Sequence, residues 1–285
     1  MNPQAQTLRQ LLSQPQLVAA PAVYDCIGGK LAERAGFPCV FTSGFGMAAA
    51  QLGLPDLGFL SGTETLAMAG NIARALGIPV IADLDTGYGN AVTVRRTVAT
   101  AVERGLAGII LEDQCWPKRC GHFEGKTVIP VEEQVSKLRS AVAERGDSGL
   151  VIVARTDARS VEGLAAAIDR GHRYRDAGAD VIFVEAPQSE EELATIAQAF
   201  PHFPLMGNVI EGGKTPCLST AQWEALGYRL VAFALSGLFA TVEAVGAYFA
   251  QLQASGQVTL APNAQPFEEF KALIALDRFT SPEIP

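Results

Sequence analysis

Short apolar runs recur eight times along the chain, at residues 17–23, 39–42, 79–83, 107–112, 150–155, 180–185, 204–208 and 230–235. They are apolar at successive rather than alternate positions, the pattern of strands buried on both faces. Between them lie longer stretches with helical spacing, among them 27–35, 64–76, 92–104, 132–145, 163–177, 190–200 and 220–226. Gly36, Gly77, Gly105, Gly178 and Gly227 stand just before strands, where a preceding helix has to stop. Strands alternating with helices predict a parallel sheet, and eight repeats predict a closed (β/α)₈ barrel of the TIM type. A doubly wound open sheet is the alternative.

The ends of the chain add helices. Leu8, Leu11 and Leu12 share one face of a short segment that is expected to cover one end of the core. Residues 238–252 read as a helix, and 267–276 as an amphipathic helix beyond the eighth unit, with Phe267, Phe270, Leu273 and Ile274 on one face. No composition shift marks a linker, so residues 1–285 are expected to form a single barrel domain with a C-terminal helical extension.

Composition narrows the class. Apolar residues make up 48% and charged residues 18%, which suits a sizeable core and argues against disorder. The net charge of −8, with no basic cluster, excludes a nucleic-acid partner. No apolar run approaches the roughly 20 residues of a membrane helix, and no secretory signal is expected at the N-terminus. Five cysteines without framework spacing suit free thiols in a cytoplasmic setting.

The polar residues fall where a barrel carries its chemistry. Ser43, Asp83, Asp85, Glu112, Arg155, Asp157, Glu185, Asn208 and Ser236 all lie at or just past the ends of apolar runs. Neighbouring strands are about 4.8 Å apart, so Asp83, Asp85 and Glu112 should crowd together. At about 4 Å, with an effective dielectric near 20, one like-charge pair costs about 4 kcal/mol. Three such groups require raised pKa values, an arginine or lysine, or a metal ion. Oxygen-only donors point to Mg²⁺ or Mn²⁺. Ser43-Gly44-Phe45-Gly46-Met47-Ala48-Ala49 is better placed to offer a hydroxyl and backbone N–H groups to a carboxylate than to bind a dinucleotide, since no acidic residue ends a strand about 20 residues later. Glu112-Asp113-Gln114-Cys115-Trp116-Pro117-Lys118-Arg119-Cys120-Gly121-His122 is the densest stretch of reactive groups. Its Cys120 thiol reads as an acid, base or nucleophile whose pKa is lowered by Lys118, Arg119 and His122. Lys126, Lys137 and Lys214 end no strand run, which argues against Schiff-base chemistry.

Lys118-Arg119-Cys120-Gly121-His122 resembles the signature loop of the isocitrate lyase and phosphoenolpyruvate mutase superfamily. Ile81-Ala82-Asp83-Leu84-Asp85-Thr86-Gly87-Tyr88-Gly89-Asn90 resembles its metal-binding strand end, and Ala154-Arg155-Thr156-Asp157-Ala158, Phe183-Val184-Glu185-Ala186 and Asn208-Val209-Ile210-Glu211-Gly212-Gly213-Lys214-Thr215-Pro216 follow in the family's order. The similarity is greatest to the group of dimethylmalate lyase, oxaloacetate hydrolase and methylisocitrate lyase. It implies Mg²⁺, with Asp85 a direct ligand and Asp83, Asp56 and Glu112 contacting it mostly through water. It also implies a loop that closes over the substrate, with Cys120 protonating an enolate. The resulting reading is a C–C lyase for a small 2-hydroxy or 2-oxo dicarboxylate. In it Cys120, Arg155, Glu185 and His122 act in catalysis, and Ser43, Gly44, Phe45, Lys118, Gly121, Asn208 and Ser236 hold the substrate. Alternatives are a phosphonate-forming or carboxyvinyl-carboxyphosphonate phosphorylmutase, whose members resembled here lack the Lys-Arg-Cys-Gly-His combination, and a non-catalytic dicarboxylate-binding barrel. The 267–276 helix either folds back on its own barrel or, as the resemblance implies, is exchanged between the subunits of a homo-oligomer, expected to be a tetramer.

Overall fold

The computed structural model describes residues 2–258 and 266–280. Its eight parallel strands are β1 (Val18–Val23), β2 (Val40–Thr42), β3 (Val80–Asp83), β4 (Gly108–Glu112), β5 (Val151–Thr156), β6 (Val181–Val184), β7 (Leu205–Val209) and β8 (Leu230–Phe233). They close into a barrel in sequence order, β8 pairing with β1 through Val18–Leu230 to Pro21–Phe233. The fold is the (β/α)₈ barrel expected from the eight runs. Every residue of β3, β4 and β6 is buried, because one face meets the barrel interior and the other the surrounding helices.

The helices are α1 (Pro3–Ser13), α2 (Cys26–Arg34), α3 (Gly44–Leu52), α4 (Gly62–Ala75), α5 (Ala91–Glu103), α6 (Val131–Arg145), α7 (Ala158–Val161), α8 (Leu164–Asp176), α9 (Glu190–Ala199), α10 (Thr220–Ala225), α11 (Ser236–Ser255), α12 (Pro266–Leu273) and α13 (Asp277–Thr280). Helix α4 starts on a capping box between Ser61 and Glu64, and α10 on one between Ser219 and Gln222. Helix α3 lies in the segment expected to offer a hydroxyl and backbone N–H groups to a carboxylate: its glycines and alanines mask the helical pattern, and Ser43 caps it by accepting from the Gly46 N–H. Helix α1 places Leu8 and Leu12 in the core cluster inside the barrel, as its apolar face predicted.

Two compact units are distinguished, Met1–Leu238 and Phe239–Pro285. The first holds all eight strands. The second holds most of α11 together with α12 and α13, and neither α11 nor α12 has a buried side chain. The single domain expected over 1–285 remains a proposal.

Candidate active site

The C-terminal ends of the strands gather the chemistry. Strand β3 ends in Asp83, whose backbone N–H donates to the Thr42 hydroxyl of β2 at 3.2 Å. Two residues on, Asp85 takes a left-handed φ of 48°, and its N–H donates to Asp83 Oδ1 at 3.1 Å. A non-glycine residue in that region costs of order 1–3 kcal/mol, although Asp tolerates it better than most. The turn folds both carboxylates back over one spot. Tyr88 donates its hydroxyl to Asp85 Oδ2 at 3.2 Å. Glu112, at the end of β4, is 2% exposed.

The crowding computed from strand spacing is real, and an ammonium group answers it. Lys118 Nζ lies 2.7 Å from Asp85 Oδ1 and donates to Asp56 Oδ1. Burial alone would lower the Lys118 pKa, but Asp85, Asp56 and Asp83 raise it well above its ordinary value. Burial and the neighbouring Asp85 lift Asp83 to about 6. Burial also raises Glu112 well above the carboxylate range, against the opposing pull of Arg155. Lys118, expected on the substrate, therefore sits on the carboxylates. Among the described residues no three acidic, His or Cys side chains converge closely enough to hold a metal ion as they stand. The donor chemistry nevertheless fits a hard divalent cation: the nest is all carboxylate, and Glu112 Oε1 is buried with no hydrogen-bond partner.

Arg155, on β5, is the neighbouring positive pole. Its Nε lies 2.9 Å from Asp157 Oδ2 and 3.4 Å from Glu112 Oε2, and its Nη1 lies 3.5 Å from Glu185 Oε2. Glu185, 1% exposed, also has Oε1 3.0 Å from His122 Nε2. Burial pushes the Glu185 carboxyl up, but Arg155 and His122 outweigh it and hold it below the ordinary range. The Lys214 N–H donates to His122 Nδ1 at 2.9 Å, so in the neutral ring the proton sits on Nε2, facing Glu185.

The signature loop is strapped down from several sides. Gln114 brackets Arg119, accepting from its N–H and donating to its carbonyl, both at 2.9 Å. The Cys120 N–H donates to the Asp56 carbonyl at 3.2 Å. Lys126 is buried, donating to the Gly121 carbonyl and, at 2.8 Å, to Asp157 Oδ1. A Cβ on Gly121 would come within 2.5 Å of Arg155 Nη2 and of Glu185 Cγ, so only glycine lets the loop lie this close. The Cys120 thiol corrects an expectation. Arg119 turns away to the Glu124 carbonyl at 3.3 Å and Lys118 is taken by carboxylates, so burial dominates and pushes the thiol up to about 11. The group is held protonated.

One cavity at the barrel mouth brings together Ser43, Phe45, Asp56 and Asp83 with Cys120, Gly121 and His122. Arg155, Glu185 and Asn208 complete its polar lining, and Asn208 Oδ1 is buried without a hydrogen-bond partner. Gly44, Asp85 and Lys118 line a smaller recess that also includes Asp56. Ser236 is not brought in: its hydroxyl donates to the Glu211 carboxylate. Sequence reasoning missed the support behind the site. Asp113 accepts from the Thr156 hydroxyl at 2.7 Å, the Asp157 N–H at 2.9 Å, the Tyr174 hydroxyl at 2.7 Å and Arg170 at 3.2 Å. A second acidic residue directly after a strand-end glutamate, within an apolar context, is the signal that could have found it.

Residues 8–253 match the family described as phosphoenolpyruvate phosphomutase. The chain belongs to this family. It is 40% identical over 280 residues to 2,3-dimethylmalate lyase of Eubacterium barkeri, covering 98% of this chain and 96% of the relative. It is 39% identical over 285 residues to the chloroplastic carboxyvinyl-carboxyphosphonate phosphorylmutase of Arabidopsis thaliana, covering 97% and 84% respectively. The solved structure of oxaloacetate acetylhydrolase with the inhibitor 3,3-difluorooxalacetate superposes with a TM-score of 0.92 at 34% identity, over 96% of this chain and 94% of that one. The protein is thus an enzyme of the isocitrate lyase and phosphoenolpyruvate mutase superfamily, as the five motifs implied. In this family member the carboxylate nest, the guanidinium and the thiol share one mouth.

Proposed function

We propose that the enzyme is a Mg²⁺-dependent lyase that cleaves a C–C bond in a small 2-hydroxy or 2-oxo dicarboxylate of the 2-methylisocitrate, 2,3-dimethylmalate or oxaloacetate type. The observation that carries this reading is the meeting of a protonated thiol, Cys120, with Arg155 and Glu185 in one cavity beside an oxygen-rich nest. Asp85, Asp83, Glu112 and Asp56 would hold the cation, Asp85 directly. When bound, it would polarise the substrate's 2-oxygen and offset the charge growing there.

The remaining work belongs to the chain. Arg155 pairs with the C1 carboxylate. The Ser43 hydroxyl and the backbone N–H groups that open α3 receive the second carboxylate, where the helix N-terminus favours an anion. For a 2-hydroxy substrate Glu185, kept ionised, accepts the hydroxyl proton as the C2–C3 bond breaks. The bonding pair passes to C3 as the enolate of the departing acid, and Cys120 gives C3 its proton. Gly121 and His122 lay the loop against this cavity and exclude water from the carbanion.

The Arabidopsis relative supports a second reading, a phosphorylmutase, which would move phosphorus and leave the carbon skeleton intact. Product identification from a Mg²⁺-supplemented panel of oxaloacetate, dimethylmalate, methylisocitrate and isocitrate separates the two. Chelation with EDTA should abolish turnover, and Asp85→Ala should not be rescued by ordinary Mg²⁺ concentrations. Full activity in metal-free buffer would sink the metal assignment. A cytoplasmic setting is part of the proposal, supported by five free cysteines. No helix among the described residues is long and apolar enough to cross a membrane.

A further inference from the structure

A second cavity is bounded by the turn after β3, the start of the signature loop and α6. It measures about 510 Å³ and shares no lining residue with the substrate cavity. Ile129 and the rings of Tyr88 and Trp116 form its apolar walls, the two rings meeting edge to face with centroids 6.0 Å apart. Glycines make room for both rings. A Cβ on Gly62 would come within 2.7 Å of Tyr88, and one on Gly58 within 3.1 Å of Trp116. Trp116 is nonetheless 49% exposed, an aromatic face left open.

The cavity also meets a buried charge. Lys137 of α6 lines it, is 2% exposed and, among the described residues, is its only cation. No hydrogen bond or ion pair among those residues engages the ammonium, and burial lowers its pKa against the pull of Glu133, Glu112 and Asp113. A buried charge without a partner is unfavourable, so an anion placed beside it would be held strongly. Glu133, exposed on the same helix and lining the same cavity, opposes a second negative group.

We propose that this cavity is a regulatory site for a small monocarboxylate with a flat apolar body, its carboxylate on Lys137 and its plane against Tyr88 and Trp116. Apolar clefts of about 300–1,000 Å³ with a few placed polar groups are the usual form of a small-ligand site. Two of the walls lead to the active site. Gln114 brackets Arg119 of the signature loop, and the Tyr88 hydroxyl donates to Asp85. Trp116 stands at the start of the same loop, so a ligand stacked on it steadies the segment that carries Cys120. The site does not depend on which reaction the barrel mouth performs.

Calorimetry on the full chain with 2-naphthoate as the probe tests the site. The matched 2-naphthamide keeps the plane and lacks the charge. It should bind about 10- to 100-fold more weakly, the worth of one hydrogen bond to a charged group. The 2,6-naphthalenedicarboxylate should also bind more weakly than the monoacid. Lys137→Met should erase the preference for acid over amide, and Trp116→Ala should weaken both by roughly 10-fold. Arg155→Ala, which removes the one Lys or Arg side chain lining the substrate cavity, should leave the 2-naphthoate affinity unchanged. With 2-naphthoate bound, the amides of Arg119 and Cys120 should exchange hydrogen more slowly in the wild type and at an unaltered rate in Lys137→Met. No binding of 2-naphthoate, equal affinity for acid and amide, or affinity lost in Arg155→Ala would overturn the site. Unchanged exchange at Arg119 and Cys120 would overturn its hold on the loop. The comparison of acid with amide needs no variant, so it decides the site even if Lys137→Met does not fold.

Discussion

A thiol buried to 8% exposure and lifted to about 11 is a poor nucleophile at neutral pH and a serviceable acid. Cys120→Ser keeps nearly the same size but supplies a far weaker acid. General acid catalysis is typically worth about 10²–10⁴-fold, so kcat should fall by that range with KM changed only slightly. The donor must be protonated, so the thiol's limb in the pH profile is a loss of activity on the alkaline side, towards pH 11, and the serine variant should lack it. Wild-type kcat in Cys120→Ser would reduce the thiol to packing. Sequence neighbours suggested the opposite shift, because Lys118 and Arg119 flank the cysteine. Neither cation reaches it: Lys118 is engaged 62 residues away in sequence by Asp56, a partner no local pattern announces.

At the scale of elements, the strand ends were easy to read and the loops were not. Strands buried on both faces print as unbroken apolar runs, and for that reason β1 to β8 fall within a residue or two of the eight runs. Helix α3 hid behind small residues, and the strap formed by Lys126 and Asp157 depends on a loop folding back onto β5. That strap has a measurable signature. Burial pushes the Asp157 carboxyl up, but Arg155 and Lys126 more than reverse it and hold it at about 2, below its ordinary 3.8. A depressed carboxylate stabilises the fold above its unfolded pKa, and that contribution is lost as pH falls through the folded one. The difference corresponds to about 2 kcal/mol, lost between roughly pH 4 and pH 2. Denaturant titrations at pH 5 and pH 2.5 should show this acid loss in the wild type and a flatter response in Asp157→Asn. Equal slopes in the two proteins would remove Asp157 from the account of acid stability.

For the whole molecule, the unit from Phe239 onward exposes apolar side chains that a lone chain has no evident use for. Phe239, Val242 and Phe249 of α11 and Phe267 and Phe270 of α12 are 42–73% exposed. Exposed apolar patches of this kind commonly mark interfaces. The homotetramer proposed from the resemblance therefore predicts that a chain ending at Gln253 elutes at a smaller native size than the full chain. An unchanged size would rule out the 267–276 helix as an assembly element.

Helix α1 has a consequence for the order of events during synthesis. Its Leu8 and Leu12 close the barrel interior, and Asn2 donates hydrogen bonds to the carbonyls of Leu106 and Ser148. Arg9 donates to the carbonyls of Gly149 and Leu150, at 2.6 and 3.1 Å, and pairs with Asp180 at 3.0 Å. All of these partners leave the ribosome long after α1 itself. Contacts so distant in sequence form late. Ribosome-bound chains stopped before residue 150 should therefore show α1 amides open to hydrogen exchange, and chains extended past β8 should show them protected. Protection in the shorter chains would mean that α1 folds without its seat. On the present geometry, the first helix made waits for the barrel that it plugs.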